Sequence, residues 1–282
     1  MNSTLLRSHN DTFLSQGYHS LMRALEYSGE FDISRVKLVE VPTKYRRKEE
    51  GFSLAIINGV TVAFDANGGC YNIESMYNDG LFNTIFKDVR YIIKTQYHPH
   101  KFWDELQKET GITVISWIMW STLNFPMGCF KWDPNRNFKF IATCAGGPNS
   151  NRRWGRPKYI QWCLNDKSFH HHRTNVHEFS KVLEECKWGL ILQGGNKYNC
   201  DGKNTREIEY SSCGMPLALN YIPHYEYDFI PDKHFLYLKS PNDLERLKTE
   251  DPRPYARESA KLWDNYLKPQ SAGKYLKRLM NV

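Results

Sequence analysis

The sequence predicts an α/β protein organised on parallel β-sheet. Three observations predict it. Residues 188–193 form a short apolar run that stops at Gly194-Gly195; a polar loop follows to Asn204, then a helical pattern over 205–213, then a second apolar run over 217–220. Strand, glycine loop, helix, strand is the order of a βαβ unit. The same order begins earlier, where the strand pattern of residues 139–144 runs into Gly146-Gly147-Pro148-Asn149. The composition, 40% hydrophobic and 24% charged, is that of a folded chain rather than an extended disordered one.

In the first half, residues 16–27 place Leu21, Met22 and Leu25 at helical spacing and Gly29 follows, so a helix is expected. Residues 36–41 are a strand candidate and residues 43–51 a charged loop. Residues 52–57 and 60–64 are β-rich and flank Asn58-Gly59, a two-residue hairpin turn. Asp65 closes the second of these strands before Ala66-Asn67-Gly68-Gly69. A carboxylate there is either a catalytic candidate or the start of an Asx-turn. Expected next are a helix over 81–86, a strand over 88–94, an amphipathic helix over 101–108 and a buried strand over 112–119. His98 and His100 flank Pro99 at a metal-compatible spacing without an evident third ligand. Residues 121–138 hold Pro126, Gly128, Pro134 and several Asn, and are the expected linker between domains.

In the second half, the glycine loop after residues 139–144 leads to Arg152, Arg153 and Arg156. These are either a basic surface loop or a source of phosphate contacts, with Arg153 the chosen candidate. Residues 158–164 read as a helix. His170-His171-His172 alternate faces on a strand and so do not form one closed metal site. Asn175 caps a helix over 176–186 that aligns Phe179, Val182 and Leu183. In the 205–213 helix Asn204 is the expected N-cap with Glu207 as its capping-box partner. Gly214 suits the left-handed C′ position and Pro216 prevents continuation. Arg206 lies in the first turn, beside backbone N–H groups that favour anions, and Glu209 is three residues on, on the same face. The two are either a grip on a nucleoside diphosphate, guanidinium on phosphate and carboxylate on ribose, or a salt bridge with each other. A strand over 235–238, a helix capped by Ser240 with Pro241 at its first position, and a largely helical stretch over 254–282 complete the chain.

With 282 residues there is room for one large domain or two modest ones. Lys and Arg number 38 against 31 Asp and Glu, a net charge of +7 that suits an anionic ligand or nucleic acid. The basic residues are dispersed, and the runs at 44–48 and 152–156 are too short for a nucleic-acid module. Seven Cys without CxxC spacing read as reduced thiols of a cytosolic protein. No apolar run approaches the roughly 20 residues of a membrane span. There is no Asp-x-Asp.

Arg206-x-x-Glu209 followed by Gly214-Met215-Pro216-Leu217-Ala218-Leu219, behind Trp188-Gly189-Leu190-Ile191-Leu192-Gln193-Gly194-Gly195, resembles the signature of exostosin-like glycosyltransferases. In that family Arg-x-x-Glu precedes Gly-Cys-Ile-Pro-Val; here Cys213 and Gly214 stand in the reverse order. The likeness runs over residues 139–247 and suits a small soluble enzyme of a microbe or a virus. It implies a GT-B architecture: two Rossmann-like domains facing across a cleft, with a C-terminal helix returning to the first. Residues 1–130, joined by 254–282, would be the acceptor side, and residues 131–253 the nucleotide-sugar domain. It implies donor binding by Arg206 and Glu209, to which the loops add Arg153, Gly195 and Thr205. With no Asp-x-Asp, the expected route is metal-independent and needs no cofactor beyond a UDP-sugar donor, UDP-xylose being the guess. Enzymes of this family are generally inverting, so a base must take the acceptor proton. Asp65 and Asp79 are the catalytic candidates and His98 a third. The expected partners are the donor and a glycan or glycoprotein acceptor, with no nucleic acid and no membrane span. The expected location is the cytoplasm, that of the host for a viral protein. The alternatives are a catalytically silent sugar-nucleotide or glycan binder of the same fold, and a basic nucleic-acid-binding protein.

Overall fold

The structure is a computed structural model that describes residues 28–39, 52–65, 71–95, 101–117, 128–143, 156–170, 176–192, 205–223 and 229–282. The chain divides into two units, one formed by Met1–Thr122 with Pro269–Val282, the other by Leu123–Lys268. Both are mixed α/β. The helix expected over 16–27 lies outside the described residues.

The sheet of the first unit runs in sequence order: β1 (Ile33–Val39), β2 (Phe52–Ile57), β3 (Val60–Asp65), β4 (Val89–Thr95) and β5 (Thr113–Trp117). β1, β2 and β3 pair antiparallel, whereas β3, β4 and β5 are parallel. Asn58 at φ 48° and Gly59 at φ 78° make the turn between β2 and β3. Two consecutive positive φ values are what a turn matched to strand twist requires, which is why Asn-Gly marks it. α1 (Tyr71–Asn78) and α2 (Phe82–Ile85) cross from β3 to β4, and α3 (Lys101–Thr110) from β4 to β5. They pack as one layer: Ile73, Met76, Phe82, Phe86, Trp103 and Leu106 share a core with Ala63 and Ile92. The register Leu54, Ala63, Ile92, Val114 crosses four strands and puts these residues on that face. α1 has no counterpart among the sequence expectations. Asn72 and Asn78 are weak helix formers, and burial of Ile73 and Met76 holds the segment helical.

The opposite face of this sheet, carrying Val62, Tyr91, Ile93 and Ile115, is equally buried. The C-terminal helix, Pro269–Met280, meets it at its carboxyl end, where the Tyr91 hydroxyl donates to the Met280 carbonyl. Gly273 permits a close approach at the same helix, since a Cβ there would lie 2.2 Å from Ser28 Cβ. Lys277 pairs with Glu30 at 3.6 Å.

The second unit has four parallel strands in sequence order, β6 (Phe140–Ala142), β7 (Cys186–Ile191), β8 (Leu217–Leu219) and β9 (Leu236–Tyr237). A parallel bridge between Thr143 and His170 lies on the edge of β6 away from β7. The chain therefore leaves β6 in one direction through α4 (Arg156–Leu164), touches down at His170, and returns through α5 (Val176–Glu184) to β7 on the other side. That reversal makes the β6/β7 border a topological switch point, where open α/β sheets bind ligands at the carboxyl ends of their strands. α6 (Thr205–Ser212) joins β7 to β8. After β9 come a 3-10 turn (Pro241–Glu245), α7 (Arg246–Thr249), α8 (Arg253–Leu262) and a π turn (Trp263–Leu267).

Three sequence expectations shift. The helix expected to reach Cys186 ends at Glu184, because Cys186 and Trp188 are buried strand residues of β7. Residues 253–268 stay with the second unit, and only Pro269–Val282 joins the first. The stretch 128–138, expected within a linker, is anchored in the second unit. Trp132 is buried, its N–H donates to the Cys213 carbonyl at 2.9 Å and its indole to the Lys187 carbonyl at 3.1 Å.

β7 is fixed to its neighbours at three successive residues. The Lys187 ammonium faces the carbonyls of Leu247, Lys248 and Glu250 at 3.3–3.4 Å, at the carboxyl end of α7 where a cation is favoured. The Trp188 indole donates to the Leu247 carbonyl at 2.8 Å. Gly189 meets Tyr210 of α6 so closely that a Cβ would lie 2.6 Å from its ring.

Candidate functional site

The candidate site is built on the carboxyl ends of β6 and β7. Ala142 and Trp188 are register partners on these adjacent parallel strands, so the chain leaves both strands from the same edge of the sheet. The two glycine-bearing segments expected to contact phosphate, with Arg153 in one and Gly195 in the other, lie outside the described residues. So does Asn204. Description resumes at Thr205, whose backbone opens α6.

Arg206 is the centre of what is described. Its Nη1 lies 2.7 Å from Glu209 Oε2, and its guanidinium carbon sits 4.0 Å from the centre of the Phe179 ring of α5. The Arg206 side chain is 34% exposed and that of Glu209 7%. The cation is thus held on two sides, by a buried carboxylate and an aromatic face, and meets solvent on a third. Burial disfavours its charge; Tyr210 and Glu209 outweigh that, and the net shift is upward. Such a guanidinium is suited to an anion, because its fork is oriented before the ligand arrives.

Glu209 is nearly buried and paired with Arg206. Of the two sequence alternatives, the mutual salt bridge is the one the geometry displays, and it is enclosed rather than solvated. Glu207 is fully buried and accepts a hydrogen bond from the Tyr221 hydroxyl at 2.5 Å. This bond ties the first turn of α6 to the chain just beyond β8. Burial, and then the Glu207 carboxylate, push the Tyr221 phenol well above its ordinary range, so it stays a donor.

The far end of α6 carries the expected left-handed glycine. Gly214 has φ 72°, its N–H donates to the Ser211 carbonyl at 2.9 Å, and the Met215 N–H donates to the Tyr210 carbonyl at 3.0 Å. That pair of bonds is a Schellman cap.

In the first unit, Asp65 is the last residue of β3, in register with Phe52 of β2 and Lys94 of β4. Asp79 is an exposed turn residue just after α1. α1 leaves the carboxyl edge of β3 and runs back toward the amino edge of β4, so Asp79 lies at the opposite edge from Asp65. The fold does not bring the two carboxylates together. His98 lies outside the described residues. Lys94, read in the sequence only as part of a strand, is fully buried and in register with Ser116 as well as Asp65. The signal available for it was a charge closing the apolar run Tyr91-Ile92-Ile93.

Among the described residues there is no group of three His, Cys, Asp or Glu able to hold a metal ion. No helix among them is long and apolar enough to cross a membrane. No protein-family model, curated protein or solved structure matches the chain.

Proposed function

We propose that the protein is a metal-independent, inverting glycosyltransferase of the exostosin-like type, moving a sugar from a UDP-sugar to a glycan or glycoprotein acceptor. One observation carries the reading: Arg206, held by Glu209 and Phe179, stands in the first turn of the helix that follows the strand at the topological switch point. Dinucleotide and sugar-nucleotide diphosphates bind where helix N-terminal N–H groups and a cation meet at such a point.

On this reading Arg206 and the α6 N-terminus take the diphosphate and neutralise the charge that grows on it as the glycosidic bond breaks. Arg153 and Gly195, in segments that leave the two adjacent strands, complete the donor grip. Glu209 acts through Arg206, fixing its orientation. Asp65, at the carboxyl end of β3, is the base that takes the acceptor proton. The two units are the two halves of a GT-B enzyme, acting in the cytoplasm, and UDP-xylose is the donor to try first.

The test is a thermal-shift panel of UDP-, GDP- and dTDP-sugars, followed by NMR detection of UDP release with EDTA present. A ligand that binds only the folded state raises the melting temperature by mass action. A rise with UDP that is lost in Arg206→Ala, and turnover that survives EDTA, are expected. No rise at millimolar UDP, with Arg206→Ala indistinguishable from the parent, sinks the proposal. Binding without turnover selects the silent sugar-nucleotide binder.

A further inference from the structure

Cys129 and Cys213 stand 84 residues apart in the chain with their sulfurs 3.9 Å from each other. Both belong to the second unit. Their backbones are held on either side of the contact. The Gly128 N–H donates to Ser212 Oγ at 3.1 Å, and the Trp132 N–H donates to the Cys213 carbonyl at 2.9 Å. Cys213 is itself fixed by the cap that closes α6, and Ser212 Oγ is tied back to the Glu209 carbonyl at 2.7 Å. A disulfide needs sulfurs about 2 Å apart, so the two must close by roughly 2 Å. Cys129 is exposed and Cys213 is buried. An oxidant from solution therefore meets Cys129 first and finds Cys213 waiting behind it.

We propose that Cys129 and Cys213 are a disulfide-forming pair, oxidised reversibly by a low-molecular-weight disulfide. The Cys129 thiolate attacks one sulfur of oxidised glutathione, and one glutathione thiolate leaves. Cys213 then loses its proton and its sulfur attacks the Cys129 sulfur of the mixed disulfide, expelling the second glutathione thiolate. Two protein thiols lose two electrons in total, and one glutathione disulfide becomes two thiols. The bridge closes at the carboxyl end of α6, the helix whose first turn carries Arg206. The pairing stands on its own geometry and does not depend on what Arg206 binds.

The rate has a direction too. Cys129 is exposed as a residue, but its sulfur is partly enclosed against Cys213; that enclosure, and then the neighbouring Cys213 sulfur, push the thiol up to about 12. The thiolate is the attacking species, so below that value exchange quickens about tenfold for each unit by which the pH rises.

The experiment uses the full chain, incubated with oxidised glutathione at pH 7.5 and 8.5, quenched by alkylation and mapped by mass spectrometry without reduction. The expected product is a peptide pair joined through Cys129 and Cys213, formed faster at the higher pH and reversed by reduced glutathione. In Cys213→Ser, glutathione should remain on Cys129 as a stable adduct, and Cys129→Ser should form neither species. Cys129 is exposed, so its variant keeps the test valid if the buried substitution fails to fold. A stable glutathione adduct on Cys129 in the parent protein overturns the proposal. So does a bridge to Cys70, Cys144 or Cys200, or a Cys129 that resists oxidation altogether.

Discussion

The Arg206 guanidinium carbon lies 4.0 Å from the centre of the Phe179 ring, while Glu209 Oε2 pairs with Nη1 of the same group at 2.7 Å. Phe179 is 4% exposed and belongs to the helix that precedes β7, so two helices on either side of one strand cooperate to aim one cation. Phe179→Leu keeps the bulk and removes the π face. A cation–π contact contributes about 0.5–2 kcal/mol, so UDP affinity should fall between roughly twofold and thirtyfold. Uridine, which lacks phosphate, should bind Phe179→Leu and the parent alike. Calorimetric titration of both ligands checks this, and an equal loss for uridine would show that Phe179 merely supports the fold.

Tyr221→Phe removes one hydroxyl and leaves the buried Glu207 carboxylate short of a donor. A hydrogen bond to a charged group contributes about 1.5–3 kcal/mol. The unfolding free energy from urea denaturation should drop by that amount, moving the midpoint to lower urea with an unchanged slope.

Gly189→Ala should be destabilising although alanine suits a strand better than glycine. The new Cβ would stand 2.6 Å from Tyr210 Cδ2 and 3.0 Å from Cγ, so α6 or the ring must move. Overpacking of this kind costs about 1–3 kcal/mol. Adding Tyr210→Leu should recover part of the loss in melting temperature, and a double variant no better than Gly189→Ala would argue for a different origin.

Lys248, first, and then Ser168 hold the Asp166 carboxyl down at about 2 from its ordinary 3.8; the Lys248 ammonium is 2.7 Å away. A carboxylate held below its unfolded value stabilises the fold above roughly pH 4 and loses that effect as pH falls through 2. The group is near the surface, so screening reduces the effect to on the order of 1 kcal/mol. Asp166→Asn should therefore be less stable than the parent at neutral pH, and the two should converge in acid denaturation near pH 2.

Closing Cys129 to Cys213 would restrict an unfolded loop spanning 84 residues. Loops of that length correspond to about 4.5 kcal/mol in the chain-entropy account, before any native strain. Oxidised protein should melt several degrees higher than reduced protein, and Cys129→Ser should show no difference between the two conditions.

Much of the framework was legible because the determining residues act locally. Asn58-Gly59 names its own turn, Gly214 its own cap, and the apolar runs of β4 and β7 their own strands. α1 was illegible because its helix rests on Ile73 and Met76 meeting a core made elsewhere in the chain. Residues 128–138 look like a linker by their proline, glycine and asparagine content, yet Trp132 finds its partners on Cys213 and Lys187. The direction reversal at β6 could not be read either, since it depends on which edge of a three-residue strand His170 joins. For the site, the helix position of Arg206 and Glu209 followed from spacing. Their inward pairing did not, because it depends on Phe179 and on how far α6 sinks toward Gly189.

The first unit is assembled from two stretches of chain separated by the whole of the second. Leu123–Lys268 is continuous and can fold once it has left the ribosome. The sheet face that carries Tyr91 must wait for its contact with Pro269–Met280. At about 5–20 residues per second, the roughly 150 intervening residues impose a delay on the order of 7–30 s. During that interval an apolar β-surface is open to chaperones or to the same surface on a neighbouring nascent chain. Yield in the cell should therefore depend on translation speed through the second unit more than on the final stability of the first.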